Sequence, residues 1–240
     1  MTLAGIRAFL RARFTREGTV GLYLTLGFLA CAVVVVLFGT LVRFVFHAEG
    51  YDLDRSVTLA IRKFHAPGQD RVLRAITALG DVWVLAPATA VVTAALFRKA
   101  HRVSALLFAG SVLGGLLLNV LLKWTFGRPR PDLWPPLVTE HTFAFPSGHA
   151  AMATAFYGGA AAVVFHLSSR PGIRLASFLA AAATITAVAV SRVYLGAHWL
   201  TDVVGGILLG VFWVSVCATG TEYFARRRAM RAGPAPAPTL

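Results

Sequence analysis

From Gly18 to Val42 the chain carries no charged side chain, and comparable apolar runs return five more times before Tyr223. A helix rising 1.5 Å per residue needs about 20 apolar residues to cross the roughly 30 Å hydrocarbon core of a bilayer. Repeated runs of that length constrain the chain more than any other feature, because only helices or closed barrels satisfy their backbone in lipid. The runs predict spans at residues 18–42, 76–97, 103–122, 148–167, 175–190 and 197–223. The composition agrees: 57% of residues are hydrophobic, 14% are charged and the mean hydropathy is +0.70. A charged fraction so far below the ~25% of soluble chains excludes an ordinary soluble domain. The predicted fold class is all-α: a polytopic membrane protein with six transmembrane helices in one bundle and a short interfacial helix. Residues 1–18 read as a basic cytoplasmic N-terminus, 19–225 as the membrane domain, and 226–240 as a disordered cytoplasmic tail. The first run is long and lacks a small-residue cleavage site, so it is expected to be a retained helix and not a cleaved leader.

The formal charge of +13 could suggest nucleic acid, but most of it lies at the ends of apolar segments. Charge placed there sets topology and attracts anionic lipid, so no nucleic-acid partner is expected. Cys31 and Cys217 fall inside apolar runs and read as small hydrophobes, not as a disulfide or metal site. Between the first two runs, Val57, Ala60, Ile61 and Phe64 recur at helical spacing, with Asp54, Arg55, Arg62 and Lys63 on other faces. That pattern predicts an interfacial helix ending at Pro67-Gly68. Pro87 is expected to kink the second span. Gly110, Gly114 and Gly115 in the third predict close helix packing.

Polar groups are concentrated at three places, and strict alternation of six spans puts all three on one membrane face. The first is the segment from Lys123 to Pro131, which holds Lys123, Arg128 and Arg130. The second is Pro146-Ser147-Gly148-His149, where Ser147 is a candidate N-cap and the free amides after it a ready anion site. The third is Ser191 to Asp202. With a helix starting near Ala197, His198 and Asp202 stand one turn apart on one face. Asp202 can then accept the Nδ1–H of His198, leaving Nε2 basic and free as a nucleophile. Taken singly, each cluster has a plainer reading: headgroup anchors, a capped helix, a His–Asp staple. Together they form an anion-binding set around a supported histidine, with no metal-ligand spacing, and no metal or other cofactor is expected. Such a set suits phosphoryl transfer through a phosphohistidine.

The order Lys123, Arg130-Pro131, then Pro146-Ser147-Gly148-His149, then Ser191-Arg192, His198 and Asp202 resembles the three-part signature of the type-2 phosphatidic acid phosphatase superfamily. That family also includes vanadium haloperoxidases and glucose-6-phosphatase. The resemblance implies His198 as nucleophile, Asp202 as its orienting partner and His149 as the acid for the leaving oxygen. Lys123, Arg130, Ser147, Gly148 and Arg192 would hold the phosphate, and Asp81, Trp134, Glu140 and His141 could border the entrance. It implies a metal-independent lipid phosphatase acting on phosphatidic acid, phosphatidylglycerophosphate or undecaprenyl diphosphate. Two rivals stand beside it: a haloperoxidase holding vanadate, and a transporter or scaffold that only binds anionic headgroups. The chemistry-free stretches 1–18, 98–102, 168–174 and 224–240 hold 13 of the 23 Lys and Arg. Three of the other ten are assigned to the phosphate. The positive-inside rule then places both termini in the cytoplasm and the site on the opposite side. The oligomeric state is not legible.

Overall fold

In a computed structural model of the protein, the described residues are 16–135 and 137–231. Most of the basic N-terminus and residues 232–240 lie outside them, whereas residues 226–231, expected in the disordered tail, continue the last helix. Every regular element described is helical: α1 (Arg16–Val45), α2 (Ala48–Arg62), α3 (Pro67–Ala78), α4 (Val82–Arg98), α5 (Arg102–Phe126), α6 (Gly148–Leu167), α7 (Pro171–Tyr194) and α8 (Leu200–Arg231). Among the described residues, six stretches are long and apolar enough to cross a membrane: 24–45, 68–98, 102–126, 148–167, 171–194 and 200–224. The protein is a multi-pass membrane protein of the expected class.

The second span differs from its prediction. Pro67-Gly68 was expected to close the interfacial helix. Instead α2 ends at Arg62, and Pro67 opens α3 at its first turn, where a missing N–H costs nothing. The second span is thus two helices, α3 and α4. They meet at Gly80 and at Asp81, whose Oδ1 accepts the amide of Trp83 at 2.8 Å as the N-cap of α4.

The interfacial helix turns only part of its expected stripe inward: Ile61 packs against Ala150, Ala189, Val193 and Val203 of α6, α7 and α8. The helix's buried residues are Gly50, Asp54 and Thr58, spaced four apart, while Leu53, Leu59 and, just past its end, Phe64 are exposed. Leu53, Leu59 and Phe64 thus face away from the bundle, as apolar side chains do when a helix rests on lipid. The small and polar side packs inward.

Helix α6 lies at the centre, against α5, α7 and α8, and α8 also packs along α1. Lipid tails are as apolar as Leu, so contacts between spans rest on close fit and not on the hydrophobic effect. Small residues supply that fit. A Cβ on Gly114 would strike the ring of Trp213, whose Nε1 donates to Gly110 O at 2.8 Å. A Cβ on Gly206 would meet the carbonyl of Ser147, so this glycine brings α8 against the start of α6. α6 itself contains a π-helical turn at Thr154–Gly158. The largest apolar cluster, with Leu85, Phe108, Val112 and Met152, joins α4, α5 and α6.

Candidate active site

One end of the bundle gathers the C-terminus of α5, the loop 127–147, the N-terminus of α6, the C-terminus of α7 and the start of α8. The three polar clusters meet there. Gly127, at φ +58°, ends α5 in a left-handed cap and turns the chain into the loop. Gly196, at φ +71°, does the same after α7, and the ring nitrogen of Trp134 lies over it.

α8 begins at Leu200, three residues later than expected, so His198 precedes the helix. The pairing survives for another reason. Asp202 Oδ2 reaches back to the amide of Trp199 at 2.9 Å, as the acidic member of a capping box does. The same oxygen stands 3.4 Å from His198 Nδ1. That contact is close enough for a charge pair but is not a well-formed hydrogen bond, and Nδ1 has no other partner. On the opposite edge of the ring, Arg130 Nη1 lies 3.2 Å from His198 Nε2. A guanidinium can only donate, so Nε2 carries a lone pair and the proton sits on Nδ1, toward Asp202. His198 is 1% exposed. Burial, then the charges of Arg130, Arg192 and Lys123, hold it well below the ordinary histidine range, so it is neutral at neutral pH.

Backbone carbonyls aim Lys123 and Arg130, and side chains aim Arg192. Lys123 Nζ donates to Phe143 O. Arg130 Nε donates to Thr142 O and Nη1 to Ala197 O, both at 2.7 Å. Arg192 Nη1 donates to Thr77 Oγ1 at 3.0 Å and Nη2 to Glu140, while its Nε is buried without a partner. Ser147 occupies the N-cap position of α6, but its hydroxyl does not cap. Its Oγ is buried and unpartnered, which leaves both lone pairs and the proton available to a ligand. Gly148 is packed closely: a Cβ there would lie 3.3 Å from Asn119 Oδ1 and 3.7 Å from Lys123 Cε. His149 stands between two carboxylates, with Nε2 3.8 Å from Asp81 Oδ2 and Nδ1 3.9 Å from Glu140 Oε1. Of the expected entrance residues, Asp81 and Glu140 reach the site. Trp134 stacks under Arg62 at 4.9 Å, and His141 is exposed. Ser191 turns back on its own helix, donating to Val188 O.

Sequence reasoning missed what lies behind Asp202. Arg128 was read as one more cation, yet it is 5% exposed. Its Nη1 donates to Asp202 Oδ1 at 2.5 Å and Thr201 Oγ1 at 2.9 Å, and its Nη2 to Asp54 Oδ2 at 2.7 Å. Asp54 had been placed on a polar face of α2. The available signal was the Gly50–Asp54–Thr58 stripe, small or polar at every fourth position.

A model of the PAP2 superfamily matches residues 104–226, which include the three polar clusters at 123–131, 146–149 and 191–202. The chain belongs to the PAP2 superfamily. Phosphatidylglycerophosphatase B of Bacillus subtilis is 35% identical over 159 residues, covering 66% of this chain and 78% of that protein. Lipid A 1-phosphatase of Rhizobium johnstonii is 37% identical over 123 residues, covering 48% of this chain and 46% of that protein. The crystal structure of the Bacillus subtilis transmembrane PAP2 type phosphatidylglycerolphosphate phosphatase superposes with a TM-score of 0.69 at 26% identity, covering 86% of this chain and 98% of that one. This PAP2 protein is a membrane phosphatase, and the transporter and scaffold readings are set aside.

Proposed function

We propose that this PAP2 protein removes phosphate from a membrane lipid carrying a phosphomonoester or diphosphate. His198 Nε2 attacks phosphorus, the phosphorus–oxygen bond to the lipid breaks, and the departing oxygen takes a proton from His149. The phosphohistidine is then cleaved by water, which gives a proton back to His149 as phosphate leaves. Asp202 steadies the imidazolium that forms. Lys123, Arg130, Arg192, the Ser147 hydroxyl and the Gly148 amide hold the phosphate oxygens. The observation that carries the reading is the state of His198. It is a buried, neutral imidazole whose lone pair is directed at a guanidinium and whose N–H faces a carboxylate.

Three observations support a lipid as the carrier of the phosphate. The site stands at the end of a bundle of membrane-spanning helices. An apolar groove of about 430 Å³ runs between α4 and α5, with Val82 next to Asp81 and Met152 one turn below His149. Lipid phosphatases are among the relatives in both sequence and structure. Phosphatidic acid, phosphatidylglycerophosphate and undecaprenyl diphosphate all fit a site that grips phosphate and leaves the tail to the groove. The excess of Lys and Arg at the opposite ends of the spans supports cytoplasmic termini and an extracytoplasmic site. The test is phosphate release from a panel of these lipids by the purified protein and by His198→Ala. Release by the wild type alone is expected. Turnover by His198→Ala at a comparable rate would overturn the assignment.

A further inference from the structure

Asp54 has no place in the chemistry so far, and it lies outside the residues that the PAP2 model matches. It is nonetheless 0% exposed, and both of its oxygens are engaged. Oδ1 accepts the Thr201 amide at 2.9 Å. Oδ2 accepts the Thr201 hydroxyl at 2.5 Å and Arg128 Nη2 at 2.7 Å. Burying a carboxylate is costly, and apolar residues of similar shape often hold a fold equally well, so a buried ion pair is poor evidence of a purely stabilising role. Its arrangement says more. One guanidinium is clamped between two carboxylates, Asp54 on one nitrogen and Asp202 on the other.

Arg128 and Asp202 alone would be a neutral pair, with the carboxylate's charge drawn away from the histidine. With Asp54 on the far side of Arg128, the trio carries one net negative charge behind His198. The groups that weigh most on that ring from other elements are basic: Arg130 from the loop, Arg192 from α7, Lys123 from α5 and His149 from α6, with Glu140 beside Arg130 and paired to Arg192. An imidazole that becomes cationic as it attacks phosphorus needs that negative charge in place. The Thr201 bonds tie Asp54 to the first turn of α8, one residue before Asp202, and so aim the same carboxylate. We propose that Asp54 is a positioning residue for the phosphatase reaction, dividing Arg128 with Asp202 so that the trio keeps one net negative charge behind His198 and the Asp202 carboxylate stays directed at it.

The proposal rests on His198 being the nucleophile, and the experiment separates the two. Asp54→Asn, Asp54→Glu, the exposed neighbour control Asp52→Asn and His198→Ala are assayed in native membranes. Turnover of a short-chain lipid phosphate is measured, together with inhibition by vanadate and by inorganic phosphate. Vanadate takes a bond from the nucleophile as the five-coordinate transition state does, whereas phosphate reports only the cationic cradle. For Asp54→Asn we expect kcat and vanadate affinity to fall together by at least about tenfold, with KM and the phosphate inhibition constant within about twofold of wild type. Asp54→Glu keeps the charge and restores most of both, and Asp52→Asn matches wild type. Wild-type kcat in Asp54→Asn overturns the inference. So does equal weakening of vanadate and phosphate, which would mark a structural role. If Asp54→Asn does not accumulate, Asp54→Glu decides, because a vanadate-to-phosphate ratio unlike the wild type's overturns the proposal. Turnover by His198→Ala would instead overturn the nucleophile, whatever Asp54 does.

Discussion

Asp202→Asn is the substitution for which the structure gives the sharpest expectation. Asp202 accepts from Arg128 on Oδ1 and from the Trp199 amide on Oδ2, and Oδ2 also faces His198 Nδ1–H at 3.4 Å. An asparagine has one oxygen. If that oxygen stays with Trp199 and His198, its NH₂ meets the Arg128 guanidinium, donor against donor. If the amide flips, the NH₂ faces His198 Nδ1 and favours the tautomer with the proton on Nε2, where it blocks attack and confronts Arg130. Either way the imidazolium loses its carboxylate. The equivalent loss in serine proteases costs about 10⁴-fold in kcat, or about 5 kcal/mol at 1.36 kcal/mol per tenfold. The fold suffers less, because Arg128 keeps Asp54 and Thr201, and one lost charged hydrogen bond costs about 1.5–3 kcal/mol. Steady-state phosphate release from a short-chain lipid phosphate in nanodiscs, with thermal unfolding of the same sample, measures both. A fall in kcat with KM nearly unchanged is expected. A folded variant whose kcat stays within about tenfold of wild type would refute the role of Asp202.

Other measurements bear on the same site. His198 is neutral and buried in the folded protein, so below the ordinary histidine value of about 6.5 the unfolded chain binds a proton that the folded chain refuses. Stability should therefore fall as the pH drops below that value, by up to about 1.4 kcal/mol per pH unit from this one group, and His198→Asn should flatten the slope in a thermal scan. The side chains around the phosphate position are mainly cationic and would repel a divalent ion. Turnover is thus expected to survive excess EDTA and to be inhibited by vanadate, and strict Mg²⁺ dependence in the purified protein would contradict the mechanism. On the proposed orientation, a cysteine replacing exposed His141 is labelled by an impermeant reagent in whole cells, and labelling only after permeabilisation would reverse the topology.

How much of this was legible in the chain depends on the range of the interaction that decides each feature. The six spans were readable because solvation by lipid acts on each apolar run separately, and length alone is the criterion. That Lys123, His149 and His198 share one face followed from alternation of those spans, without knowledge of their packing. The π-helical turn in α6 and the break at Gly80-Asp81 were not readable, since both are set by what packs against those residues. The late start of α8 is a local matter, but the capping contact from Asp202 to Trp199 becomes visible only once the turn at Gly196 is in place. Ser147 looks like a cap by residue type, yet its hydroxyl is buried without a partner, which only the packed end of the bundle decides. Asp54 is the clearest case. Its partners lie 74 and 147 residues away. A contact at that separation leaves no periodic trace in the sequence, and α2 reads equally well with either face inward. Only the folded bundle, by placing Arg128 and Thr201 beside it, decides that this carboxylate is buried behind the catalytic histidine.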